Sequence, residues 1–246
     1  MNRIVIFEDE IETQSDVKLA KISCSLRAEH IQKILKLGEG DQLKVTIANV
    51  GLCEAKILTI DKNCAVFELE SETKVGREAD IHLTVGLSRP MTCKKVIEHG
   101  TSLGVRSFHF FTSELSEKSY AKSNLFLNKE YEKLIHLGLS QSNGLYQLPE
   151  VNVSNHISGL RDQGPKMKQK FILSPFAKKS FKDFSIDFSQ PIELAIGSER
   201  GWTAKELQNF NEMGYEEVKI SEHILRVEIA TYSALGQLEL LKFPKL

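Results

Sequence analysis

Two charged residues, Arg226 and Glu228, sit two positions apart inside an apolar run that includes Ile224, Leu225, Val227, Ile229 and Ala230. Charges set among apolar neighbours need partners or a task, because an unpaired buried charge is costly. On a helix that has already begun they would point about 200° apart. One could then face a site while the other braces the loop, or both could line a solvated helix start. About twenty-five residues upstream stands a glycine turn, Ile196-Gly-Ser-Glu-Arg-Gly201. Glycine there can reflect either a backbone need or a close approach to a ligand. Backbone amides at such strand-to-helix turns are ready hydrogen-bond donors. The only tryptophan, Trp202, follows the turn and can either stack on a ligand or base or pack into the core.

The elements that must hold these residues are legible around them. An apolar strand over 192–196 runs into the glycine turn. Thr203 and Glu206 form a capping box for a following helix, and Gly214 suits its left-handed end. A strand over 218–220 then leads through residues 221–225 to a long final helix. Two strand–loop–helix junctions in one α/β sheet form a candidate site, since ligands settle at the carboxyl ends of such strands.

The chain has 246 residues, 41% hydrophobic and 26% charged, with a net charge of −1. These values suit a soluble globular protein of one or two domains. A near-zero net charge means that a nucleic-acid partner would have to meet local basic patches. Candidates are Arg161, Lys166, Lys168, Lys170, Lys178, Lys179 and Lys182 around one strand, Lys94 and Lys95 near a helix start, and Lys118 and Lys122 in a loop. Each cluster could equally be solvated surface. Cys24, Cys53, Cys64 and Cys93 are not spaced as C-x-x-C, and the seven histidines match no zinc motif, so reduced thiols, a cytoplasmic location and no metal are expected. No apolar run has membrane-spanning length and the acidic start does not read as a signal peptide.

Along the chain, residues 1–72 read as short strands (3–7, 43–48, 52–60, 65–69) with one helix over 30–37, which suggests a small β-barrel. The polar run 71–80 reads as a domain boundary. Beyond it, strands over 81–87, 105–111, 148–153 and 170–174 alternate with helices over 92–103 and 126–139 and a short one near 156–160. That alternation predicts an α/β domain with a mostly parallel sheet.

With these residues in view, the chain resembles the knotted (SPOUT) RNA methyltransferases, most closely the ribosomal RNA small subunit methyltransferase E family. The family's isoleucine-glycine-proline-glutamate-glycine-glycine loop appears as Ile196-Gly-Ser-Glu-Arg-Gly201, and its leucine-arginine-threonine-glutamate-threonine-alanine motif as Leu225-Arg-Val-Glu-Ile-Ala230. Its helix end appears as Ser102-Leu-Gly-Val105, its serine-glutamate-arginine as Ser113-Glu-Leu115, and its first helix and turn as His30 to Asp41. Gly144 and Pro149 match a further segment, in which Gln141, Ser142 and Leu145 depart from it.

The resemblance implies a PUA-like, RNA-binding β-barrel over 1–72 and a knotted α/β methyltransferase domain over 73–246. It implies S-adenosylmethionine as cofactor, N3 of a uridine in 16S rRNA of the small ribosomal subunit as target, and a homodimer. Mapped onto this chain, the cofactor residues are Leu173, Ser174 and Pro175; Ile196, Gly197, Ser198, Glu199 and Gly201; and Ile220, Ser221, Ile224, Leu225 and Ala230. Arg226 is expected to stabilise the uridine anion and Glu228 to orient Arg226 or the loop amides, or to act as base. RNA contacts are expected at Arg3, Lys36, Arg89, Lys94, Lys118 and Lys122. The chain leaves the family pattern at Ser198, Arg200, Val227, Ile229, Leu115, Leu145 and Ser102. Arg200 replaces a glycine, so a left-handed backbone there would be costly and its side chain must leave the pocket open. These departures keep two other readings in play: a knotted methyltransferase with another RNA target, and a non-catalytic RNA- or ribosome-binding paralogue.

Overall fold

The structure, a computed structural model, describes residues 3–14, 16–70, 72, 80–142, 144–157 and 169–243. The chain falls into two compact units, Met1–Arg77 with His136–Leu148, and Glu78–Ile135 with Pro149–Leu246. The linker expected over 71–80 lies mostly outside the described residues, as do Arg161, Lys166 and Lys168 and most of the short helix expected near 156–160.

The first unit is built on a six-stranded sheet. Its strands are β1 (Ile4–Ile6), β2 (Ile11–Gln14), β3 (Val17–Ile22), β4 (Gln42–Ile47), β5 (Gly51–Ile60) and β6 (Ala65–Leu69), in the order β1-β4-β5-β6-β3-β2. Only β1 pairs in parallel, with β4. Among the described residues no pairing joins β1 to β2, so the sheet is an open half-barrel, where the sequence pattern suggested a closed one. One face buries Ile6, Ile22, Ile47, Ile57 and Phe67 completely or almost so. The β2–β3 hairpin was not expected. Its strands read Ile-Glu-Thr-Gln and Val-Lys-Leu-Ala-Lys-Ile, and most of their residues are exposed or half-buried, so they carry too few apolar positions to stand out.

The helix expected over 30–37 begins earlier, as α1 (Ser25–Glu29), and widens into a π-helical turn over His30–Leu35 that ends at left-handed Lys36 (φ 56°). Leu26 is 78% exposed, so the first turn lacks an apolar stripe that would announce it.

The second unit holds an entirely parallel sheet, which agrees with the expectation of a mostly parallel one. Its strands are β7 (Ile81–Gly86), β8 (Val105–Phe111), β9 (Glu150–Ser154), β10 (Gln169–Leu173), β11 (Ile192–Ile196) and β12 (Glu216–Val218), in the order β12-β10-β11-β7-β8-β9. The chain steps outward from β7 to β9. It then crosses to the other side for β10 and fills the gap with β11. The last strand lies two residues earlier than the expected 218–220, because its pairing with β10 sets Phe171 opposite Glu216 and Leu173 opposite Val218. β7, β8, β10 and β11 are dominated by buried apolar residues, as strands covered on both faces must be.

The helices are α2 (Pro90–Ser102), α3 (Asn124–Leu127), α4 (Tyr131–Gln141), α5 (Ala204–Glu212) and α6 (Val227–Lys242). The single helix expected over 126–139 is two, broken at Lys129, whose φ of 51° no right-handed helix accommodates. Gly104 and Gly214 take the left-handed conformations their positions after helices predicted (φ 83° and 85°).

Gly100 lets α2 lie directly on β8: a β-carbon there would stand 2.7 Å from Cε1 of Phe108, whose ring is fully buried. Overpacking of this kind costs about 1–3 kcal/mol, against the roughly 1 kcal/mol that alanine gains over glycine in a helix. Gly100→Ala is therefore expected to lower the urea midpoint rather than raise it.

Candidate functional site

Three turns leave the carboxyl ends of β10, β11 and β12 on the same side of the sheet. They enclose a cavity of about 390 Å³ lined by residues 173–176, residues 196–202, and Ile220, Ser221, His223, Ile224, Leu225, Val227 and Ala230. Its size falls in the roughly 300–1,000 Å³ range of small-molecule sites. Its position follows from the strand order, since ligand crevices open at the carboxyl ends of parallel strands.

The first turn is held by its neighbours. Ser174 N–H donates to Val218 O at 3.0 Å, and Leu173 O accepts from Trp202 Nε1 at 3.1 Å. Trp202 also stacks on Phe111 with ring centroids 6.0 Å apart and packs against Phe210 at 5.0 Å. The indole is half-buried: it packs against a buried cluster, its edge is anchored, and it also forms cavity wall.

The second turn is tight. Gly201 N–H donates to Ser198 O at 2.8 Å, and a β-carbon on Gly197 would stand 3.1 Å from Gly201 Cα. The left-handed conformation falls on Gly201 (φ 75°). Arg200 does not need it, so this departure from the glycine pattern carries no backbone penalty, and its exposed side chain borders the cavity. Ser198 is 5% exposed, and its Oγ is a buried polar atom without a partner.

The helix that follows starts as its residues dictate. Thr203 Oγ1 accepts from Glu206 N–H at 3.1 Å, and Glu206 Oε2 accepts from Thr203 N–H at 2.9 Å, completing the capping box. Glu206 also accepts the amide of Glu114 at 2.8 Å. Hydrogen bonds from Thr203 and Lys205 hold the Glu114 carboxyl below the usual carboxylate range.

The third wall is the entry to α6. Gln237 Nε2 donates to Ile220 O at 2.8 Å and pins the segment to the helix. Arg226 is the residue before the first helical turn, with extended backbone (ψ 153°) and an exposed side chain. It stands between cavity-lining Leu225 and Val227 but does not itself line the cavity. Glu228 is 7% exposed and is not paired with Arg226: its Oε1 faces Lys95 Nζ of α2 at 3.3 Å. The carboxylate thus ties the first turn of α6 to α2, a partner the sequence did not point to.

Every residue expected at the cofactor lines this one cavity, whereas the expected RNA contacts divide. Lys36, Arg89, Lys118 and Lys122 are exposed. Lys94 pairs with Glu130 at 2.9 Å. Arg3 has to be withdrawn as a surface contact. It is 7% exposed, and its guanidinium donates to Thr46 Oγ1 at 3.0 Å and to the carbonyls of Val45 and Cys53 at 2.5 and 3.1 Å. Phe176 and His223, inside the segments 173–176 and 220–230 to which the resemblance points, also line the cavity, as do Leu207 and Val218, which were missed. Leu207 offered no local signal, since only the placement of α5 brings it there.

Among the described residues no group of three or more histidine, cysteine or acidic side chains is placed to hold a metal ion, and no helix is long and apolar enough to cross a membrane. All four cysteines are free.

Residues 76–239 match the family model of the RNA methyltransferase domain. The chain is 30% identical to Ribosomal RNA small subunit methyltransferase E 1 of Borreliella burgdorferi, over 95% of each chain. It is 32% identical to Ribosomal RNA small subunit methyltransferase E of Treponema pallidum, over 83% of this chain and 79% of that one. The solved structure of a Ribosomal RNA small subunit methyltransferase E from Neisseria gonorrhoeae, bound to S-adenosyl methionine, has the same fold, with a TM-score of 0.81, 21% identity and 98% of each chain covered.

The Lys95–Glu228 pair yields a stability prediction. The Lys95 side chain is 52% exposed and that of Glu228 only 9%, so removing the lysine leaves a nearly buried carboxylate without its cation. Lys95→Ala is expected to lose about 1–2 kcal/mol in urea unfolding, between the values for exposed and buried pairs, and Lys95→Arg to restore most of it.

Proposed function

We infer that this chain, which belongs to the RNA methyltransferase family, transfers a methyl group from S-adenosylmethionine to N3 of a uridine in the 16S rRNA of the small ribosomal subunit. The observation that carries the reading is the meeting of three strand-end turns around one cavity, at the segments where this chain matches the family's loops. The residues present fit such a ligand. Gly197 and Gly201 leave room for a close backbone approach, Ser198 offers a buried hydroxyl with no partner of its own, and the walls are largely apolar.

S-adenosylmethionine, when bound, supplies an electrophilic methyl group on a sulfonium. The residues of this chain then have three tasks. The turns at 173–175, 196–201 and 220–225, with Ala230, hold the ligand largely through backbone amides and carbonyls, and so orient it for an in-line displacement. Arg226 stabilises the uridine anion left when N3 gives up its proton; its exposed position beside cavity-lining Leu225 and Val227, with no hydrogen-bond or ion partner among the described residues, supports that role. Glu228 holds the first turn of α6 against Lys95 and thereby fixes the residue that precedes it.

In this reading residues 1–72, which make up most of the first unit, form a PUA-like RNA-binding module, and residues 73–246 the knotted methyltransferase domain. Lys36, Arg89, Lys118 and Lys122 contact RNA, and the protein works as a cytoplasmic homodimer. Isothermal titration with S-adenosylmethionine tests the cofactor: saturable binding is expected, and none at millimolar ligand overturns the assignment. Arg226→Ala is expected to lower kcat/KM by about 10²–10³, as the loss of a group that stabilises developing negative charge does, while binding of S-adenosylmethionine is unchanged. Mass mapping of rRNA from a deletion strain should show one N3-methyluridine missing; an unaltered map refutes the target.

A further inference from the structure

Glu199 belongs to the cavity turn, yet its carboxylate is engaged elsewhere. Its Oε1 accepts a 2.8 Å hydrogen bond from the backbone N–H of Arg89, a residue 110 positions earlier in the chain. Arg89 immediately precedes α2, and its own carbonyl accepts the amides of Thr92 and Cys93 at 2.8 and 3.0 Å. The turn that carries it, residues 86–89, lies against the cavity turn in backbone contact: a β-carbon on Gly86 would stand 2.7 Å from Ser198 N. The other side of that turn is fixed to neighbouring strand ends. Leu87 N–H donates to Phe111 O at 2.8 Å, and Ser116 Oγ donates to Leu87 O at 2.7 Å. The Arg89 side chain is exposed, with no partner among the described residues. One carboxylate thus spans two turns, one lining the ligand cavity and the other carrying a free cation.

We propose that Glu199 is a positioning residue that ties the Arg89 turn to the cavity turn, so that filling the cavity with the methyl donor sets the arginine that meets the RNA. The inference rests on the function proposed above. A ligand held by the amides of residues 197–201 restricts the excursions of that turn. The Glu199–Arg89 bond, a charge-assisted one, passes the restriction to the Arg89 backbone. Binding of donor and of RNA then favour each other, and by linkage the factor is the same in both directions. Glu199 is exposed, so solvent weakens the link and the factor should lie at the low end of the usual range, about fivefold.

The test measures affinity for unmethylated small ribosomal subunits with and without S-adenosylhomocysteine, the demethylated product, which permits no turnover. The wild-type protein is expected to bind the subunits about fivefold more tightly when the nucleoside is present. Glu199→Ala, measured at saturating nucleoside, should bring this ratio to one. Glu199→Gln should restore the ratio, because the amide oxygen still accepts the Arg89 N–H; a side chain that merely stabilised the fold would not separate the two variants in this way. Hydrogen exchange gives a second readout: the nucleoside should slow the Arg89 amide in the wild-type and Gln proteins but not in the Ala protein. A wild-type ratio of one, an Ala variant that keeps the wild-type ratio, or an Ala variant that loses nucleoside binding each overturns the proposal. If the wild-type protein binds no nucleoside, the functional reading falls with it. If it binds both ligands without coupling, only the link through Glu199 falls.

Discussion

The parallel insertion of β11 between β7 and β10 is the constraint on which the rest of the second unit depends. Its register sets Ile192 opposite Ile81, Ile196 opposite Val85, and Leu194 opposite Phe171. Because all three strands run the same way, their carboxyl ends finish level, and the turns at 86–89, 174–177 and 197–201 emerge side by side. The backbone approach of Gly86 to Ser198 is possible because position 86 carries no side chain: a β-carbon there would stand 2.7 Å from Ser198 N. Any side chain at position 86 would separate the turns, and with them the walls of the cavity.

Around that arrangement most polar groups are already engaged. Thr203, Glu206 and Glu114 satisfy one another and two helix-start amides, and Trp202 is anchored on Leu173. Glu228 is matched by Lys95. This leaves a cavity whose polar offering is mainly backbone, with the hydroxyl of Ser198 unmatched inside it and Arg226 free at its edge. Such a site orients a ligand more than it exchanges protons with it, which suits a displacement reaction whose electrophile comes with the cofactor.

The first unit shows how little the count of basic residues says about where charge is presented. Arg3 spends its guanidinium on a hydroxyl and two carbonyls inside the sheet, and burial pulls its pKa down. Arg27 is likewise drawn to the carboxylate of Glu10, which it meets with both terminal nitrogens. Lys36, by contrast, closes the π-helical turn in a left-handed conformation and keeps its side chain in solvent. The cations available to a polyanion are those that no internal acceptor has claimed.

By itself, the sequence determined whatever depends on neighbours a few residues apart. The Thr203–Glu206 cap, the left-handed glycines after α2 and α5, the buried strands of the parallel sheet and the two loop segments of the site follow from local hydrogen bonding, steric limits and apolar runs. Tertiary structure decided what depends on partners distant in the chain. The open first sheet, the exposed β2–β3 edge, the break at Lys129, the burial of Arg3, the pairing of Glu228 with Lys95 rather than Arg226, and the grip of Glu199 on Arg89 had no local signature. The physical reason is that a charged side chain pairs with whatever acceptor or counter-charge the strand order brings within about 3 Å, and strand order is a property of the whole sheet.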